Sequence, residues 1–144
     1  MAAISKPHAR LTWREIVLVV LEVILMIGAG AGGIALMARP ESGLGMGVSS
    51  LSKSPFPNFL VPGIILFVAN SLLPLAVVVI TLMRVRRSYL GHAAVGAALL
   101  IWIVVEMIWI TYNWLQPAFG LMAVLILGLA IWNWTRRARG GARA

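Results

Sequence analysis

Cysteine is absent from this chain, and so is aspartate; its acids are four glutamates, Glu15, Glu22, Glu41 and Glu106. Without cysteine there is no disulfide, no thiol redox chemistry and no thiolate metal site. Charge of either sign is sparse, 11% of residues, and it is one-sided at +8. What fills the 144 residues instead is apolar: 61% hydrophobic, with a mean hydropathy of +0.97. That is too greasy for a soluble core of this size and fits a polytopic membrane protein with short loops. One domain over residues 1–144 is expected from the length. The positive charges stand in clusters flanking apolar runs, as topology signals do, so no nucleic-acid partner is expected.

Four runs reach the roughly 20 residues that a bilayer core requires, the last near the lower limit. Met1–Thr12 is a polar arm, and Trp13–Met37 is the first apolar segment, opened by Trp13 and Arg14 as interfacial anchors. A cleaved leader ending near Ala29-Gly30-Ala31 is the rival reading; the run is long for that and contains Glu22, so a retained span is favoured. The outer loop, residues 38–57, holds Pro40, several glycines, a serine cluster and Pro55-Phe56-Pro57. Asn58–Met83 is the second span. Pro62 is tolerated in its opening turn, whereas Pro74 leaves the carbonyl of Asn70 without its donor and predicts a mid-span kink. Leu90–Tyr112 and Pro117–Trp134 are the third and fourth spans, joined by an uncharged turn at Asn113–Pro117. The expected fold is an all-α membrane protein, a four-transmembrane-helix up-down-up-down bundle.

Without water between them, membrane helices associate through small residues. The first span offers Gly28/Gly32 and Ala29/Gly33; the third offers Gly91, Ala93, Ala94, Gly96, Ala97 and Ala98. These serve packing within the bundle, with a homodimer or a larger membrane complex as the alternative use. Partners beyond the lipid bilayer are not otherwise indicated.

The third span carries the chemistry. Trp102, Glu106, Trp109 and Asn113 recur at i, i+4, i+7 and i+11, which on a helix puts two indoles, an acid and an amide on one face. An ionisable group at membrane depth is a functional-site hypothesis by default. At 1.5 Å per residue, Glu106 lies roughly 9 Å below the outer interface and Glu22 roughly 12 Å above the inner one, with Asn70 near the midplane. An acid between indoles suits a lipophilic cation through charge and cation–π attraction. Three readings compete for Glu22, Asn70 and Glu106: plain hydrogen bonds between helices, a ligand or proton site around Glu106, or a staggered relay across the bilayer. Tyr112 and Trp114 read as the outer aromatic belt, Trp132 and Trp134 as the inner one. His92 stands alone at the inner end of the third span, and His8 lies in the arm, so bis-histidine haem ligation is not supported. No metal-ligand spacing, no Ser–His–acid set and no phosphate loop is present, so neither catalytic residues nor cofactors are expected.

Ser54-Pro55-Phe56-Pro57-Asn58-Phe59-Leu60-Val61-Pro62-Gly63, then Asn70 through Pro74, Ile101-Trp102-Ile103-Val104-Val105-Glu106, and Leu115-Gln116-Pro117 form a set of short motifs. The set resembles a family of uncharacterised bacterial four-span integral membrane proteins. The resemblance implies a four-helix membrane fold in the bacterial cytoplasmic (inner) membrane, and it carries no activity and no functional residue with it. A looser likeness is to small multidrug transporters, four-span proteins with an essential glutamate in the first span. Glu22 is the counterpart by position, but the long glycine-rich outer loop and the interior Pro74 depart from that pattern.

The functional expectation is a non-enzymatic accessory subunit or a lipid- or small-molecule-binding bundle, with a proton-coupled small-molecule transporter using an intramembrane glutamate as the alternative. Ten of the twelve Lys and Arg residues (Lys6, Arg10, Arg14, Arg84, Arg86, Arg87, Arg136, Arg137, Arg139 and Arg143) fall on one side of the four spans, and only Arg39 and Lys53 fall on the other. Both termini are therefore expected in the cytoplasm. The cysteine-free background makes this directly checkable. A Ser49→Cys variant should react with a membrane-impermeant maleimide on intact cells, and an Ala144→Cys variant only after lysis; the reverse pattern inverts the topology.

Overall fold

The computed structural model describes residues 10–85 and 87–141; Lys6, His8, Arg86 and Arg143 lie outside them. Helix α1, Trp13–Ala38, begins at a capping box. The Glu15 amide donates to Thr12 Oγ1 at 3.4 Å, and the Thr12 amide donates to Glu15 Oε2 at 2.8 Å. Two orphan N–H groups are satisfied at once, and an acid faces the positive end of the helix dipole. From there Glu15, Leu18, Glu22, Leu25, Ala29, Gly33 and Leu36 are buried in steps of three and four, a single inward stripe. The helix runs unbroken through Ala29-Gly30-Ala31.

The second span is two helices, α2 (Leu60–Phe67) and α3 (Leu73–Leu82), joined by a π turn over Val68–Leu72. This is the form the expected kink takes. Pro74 has no N–H to give to Asn70, and the chain absorbs the missing bond by widening the preceding turn by one residue. Helix α4 covers Ser88–Trp109 and α5 covers Leu115–Gly141. Both differ from the expected bounds. The third span leaves helical geometry after Trp109, so Ile110–Asn113 belong to the connection. The fourth helix continues past Trp134 through the arginines, because arginine ends an apolar run but is a good helix former.

Four helical stretches, Trp13–Ala38, Leu60–Leu82, Ser88–Trp109 and Leu115–Arg136, are long and apolar enough to cross a membrane, and no strand occurs among the described residues. The helices form a ring in chain order. α4 packs most extensively on α5 and α1 on α2, while α1 and α5 close the ring with less contact. Burial is inverted relative to a soluble protein. Ile27, Ile101 and Leu121 are each more than 60% exposed, while Glu22, Asn70, Thr81, His92, Gln116 and Asn133 face inward and are buried. Outward apolar surface around inward polar groups is what a lipid solvent demands.

One end of the bundle, here the arginine end, carries Arg14, Arg84, Arg87 and Arg136. Trp13 and Trp132 meet there edge to face at 6.0 Å, and the Arg14 guanidinium sits 5.1 Å from the Trp132 ring. The loop end is closed by a small second core of Leu36, Leu51 and Phe59, fixed by the Phe59 amide donating to the Pro40 carbonyl at 2.9 Å.

The small residues of α1 divide between two uses. Gly30 and Gly33 face the second span, at Ser71 and at Gly63 and Phe67. A Cβ on Gly33 would stand 2.9 Å from both the Gly63 carbonyl oxygen and Phe67 Cβ, so α1 and α2 cross backbone to backbone. On α4, a Cβ on Gly96 would stand 2.7 Å from Leu127 of α5. Gly33→Val should therefore lose about 1–3 kcal/mol of stability through overpacking. Gly128→Ala, with nothing within 4 Å of the new methyl, should be neutral or gain up to about 1 kcal/mol from helix propensity. Thermal or denaturant unfolding in detergent micelles reads both.

Candidate functional site

Two polar clusters occupy opposite ends of the bundle interior. At the loop end, Glu106 and Trp102 lie one helical turn apart on α4, both partly buried. The Trp102 indole and the side-chain amides of Asn113 and Gln116 surround the Glu106 carboxyl. Asn113 comes from the α4–α5 connection, where its Oδ1 accepts from the Leu115 amide at 2.9 Å. Gln116 sits in the first turn of α5, is 2% exposed, and has neither amide atom in a formed hydrogen bond.

Glu106, Trp102 and Asn113 border a cavity of about 130 Å³. A water molecule needs only about 10–15 Å³ of such space, so an organic group fits. Leu25, Gly28, Ala29 and Gly32 of α1 form one wall and Leu99, Trp102 and Ile103 of α4 another. Leu115 and Phe119 of α5 and Leu44 and Met46 of the loop complete it. The lining is predominantly apolar, with one carboxyl, one indole and one side-chain amide converging. Small-molecule sites have this composition. The Gly28/Gly32 pair thus lines the cavity rather than a tight crossing, and Phe119 lies over Gly28 where α1 meets α5.

At the arginine end, three helices share one buried chain of contacts. His92 Nδ1 of α4 lies 2.7 Å from Glu22 Oε1 of α1, and His92 Nε2 lies 3.1 Å from Thr81 Oγ1 of α3. Thr81 in turn donates to the Val77 carbonyl at 2.7 Å. Glu22 and His92 are 0% and 1% exposed.

The six residues singled out from sequence are therefore distributed. Glu106, Trp102 and Asn113 come together on the cavity. Asn113 does so from the connection, because α4 ends at Trp109 and the i+11 position is not helical. Trp109 borders a separate recess of about 20 Å³ with Trp102 and Glu106, its ring edge to face with Phe56 at 5.4 Å. Glu22 belongs to the other end. Asn70 is wholly buried in the π turn, with neither side-chain amide atom hydrogen-bonded, and it bridges neither cluster. The staggered relay through Glu22, Asn70 and Glu106 is thus not a chain of contacts.

Two participants were missed. His92 is not alone. Counting depth from span ends presumes that the helices start flush, whereas α1, at 26 residues, is longer than α4, at 22. Gln116 was passed over as part of a turn. It is the chain's one glutamine, set just before a proline at a span's first turn, and that isolation was the available signal.

No protein-family model, no curated protein and no solved structure matches this chain.

The buried pair makes a stability prediction. His92→Ala leaves a carboxyl enclosed without its partner and should cost about 3–5 kcal/mol. The double variant Glu22→Met with His92→Leu, which removes both polar groups, should recover most of that loss. Unfolding of the three proteins in the same detergent checks it.

Proposed function

We propose that this multi-pass membrane protein is a non-enzymatic bundle that binds an amphiphile in the loop-end cavity, with the head against Glu106 and the apolar part among the α1 and α5 side chains. The observation carrying this reading is a carboxyl placed on a predominantly apolar cavity, with the Trp102 indole and the Asn113 amide beside it on the lining. An amine or ammonium head matches that set. The carboxylate supplies charge, Trp102 supplies a π face, and the amides orient the acid. Entry is from the lipid, between α1 and α5, where Phe119 lies over Gly28 and the two helices make less contact than α1 with α2 or α4 with α5. In this reading both termini lie in the cytoplasm of a bacterial cell, and the loop end faces out across the inner membrane.

Proton-coupled transport is the second reading. It is favoured by the presence of one glutamate at each end of the interior, each with its own polar partners. Service as an accessory subunit draws support from the broad apolar outer faces of α4 and α5.

In lipid nanodiscs, a brominated long-chain primary amine should quench Trp102 fluorescence saturably, and Trp102→Phe should remove the quenched component. Glu106→Gln should weaken the binding about tenfold or more, as the loss of a charge-assisted hydrogen bond implies. Quenching that never saturates, or that is identical in Glu106→Gln, ends the amphiphile reading. Amine-dependent proton flux into sealed vesicles would favour the transporter.

A further inference from the structure

The cavity at Glu106 leaves the other polar cluster unused. We infer that Glu22 and His92 form an internal proton-binding site, in which one proton is shared between the two side chains and the Thr81 hydroxyl turns to accommodate its presence or absence. This stands independently of what the loop-end cavity holds.

The hydrogens available to these contacts can be counted. Thr81 has one hydroxyl hydrogen, and in one arrangement it is donated to the Val77 carbonyl at 2.7 Å. Thr81 Oγ1 can then meet His92 Nε2, 3.1 Å away, only as an acceptor, so Nε2 carries a hydrogen. The 2.7 Å contact between His92 Nδ1 and Glu22 Oε1 also needs a hydrogen between its two atoms. In this arrangement it comes either from a neutral carboxylic acid donating to Nδ1 or from an imidazolium donating to a carboxylate. Both forms hold the same number of protons, and they differ only in which side of the contact the proton favours.

Removal of that proton also leaves a complete network. The remaining ring hydrogen moves to Nδ1 and donates to the Glu22 carboxylate, while the Thr81 hydroxyl swings from the Val77 carbonyl to Nε2. The ring thus has a partner on each nitrogen whether or not the proton is present, and the change requires a tautomer exchange and one side-chain rotation.

The surroundings leave the site to these groups. On α1 the nearest titratable residue of the inward stripe is Glu15, two turns away and engaged with Thr12. On α3, Arg84 lies beyond the helix end and is exposed. On α4, Tyr89 is partly buried one turn before His92. The inward face of α5 carries Ala123, Ile126, Ala130 and Asn133, none of which titrates. Glu22 Oε2, buried and without a hydrogen-bond partner, offers a second oxygen to an arriving proton.

The chain holds two histidines, so ring-15N labelling in a His8→Gln background leaves one reporter. With 13C-labelled glutamate, full-length protein in nanodiscs should show His92 Nε2 gaining its hydrogen and the Glu22 carboxyl carbon shifting at one common pH, with uptake of one proton. Glu22→Gln should move the His92 midpoint by at least one pH unit, a tenfold change in proton affinity. Linkage requires that His92→Gln move the Glu22 midpoint comparably. Thr81→Val, which leaves Nε2 without a partner, should move the His92 midpoint, and Thr81→Ser should leave it in place. Unrelated midpoints at the two residues, or no change at either between pH 5 and 10, overturns the inference. So does a His92 profile indifferent to Glu22→Gln. The wild-type titration decides the matter even where a variant fails to fold.

Discussion

A carboxyl group cannot be left alone in hydrocarbon, and the interior of this bundle is built around that constraint. Each of its two intramembrane glutamates is met by groups from other elements. Glu22 of α1 meets His92 of α4, which is steadied by Thr81 of α3. Glu106 of α4 is faced by Asn113 of the connection and Gln116 of α5. Hydrophobic burial does little to choose partners among helices already dissolved in lipid. The polar contacts do more to specify which faces turn inward. The glycines then set how closely those faces approach, most tightly where Gly33 and Gly63 bring α1 and α2 together.

The two clusters use the same two helices at different heights. His92 and Glu106 are fourteen residues apart on α4, roughly 21 Å along the axis. α1 contributes Glu22 to one cluster and a glycine-lined cavity wall to the other. α1 and α4 stand on opposite corners of the ring, so both sites lie in the middle of the bundle rather than on one flank. Between them is a band of buried apolar side chains, Leu25, Ala29, Leu99 and Ile103 among them.

The architecture was legible in the chain because hydropathy and length alone identify helices able to span a bilayer. The proline-induced break was legible too, since Pro74 cannot donate to Asn70, though its appearance as a π turn was not. Helix ends were less so. Periodicity carried the third span to Tyr112, but the chain turns after Trp109, and the arginines that closed the fourth span on paper continue as helix. Glu106, Trp102 and Asn113 were found through spacing, a local property. The Glu22–His92 contact is seventy residues apart in sequence, and it depends on how two helices of unequal length are offset, which one chain's hydropathy does not encode.

That long separation has a consequence for biogenesis. The first span is made and enters the membrane while the third is still unsynthesised, so Glu22 passes into the bilayer before His92 exists. An acidic residue at a helix centre raises the insertion cost by about 2.5–3.5 kcal/mol. The emerging first span is therefore a provisional guest of the membrane, held by its long apolar flanks and completed only when a later segment arrives. Order of synthesis, as well as final packing, is written into the placement of this one acid.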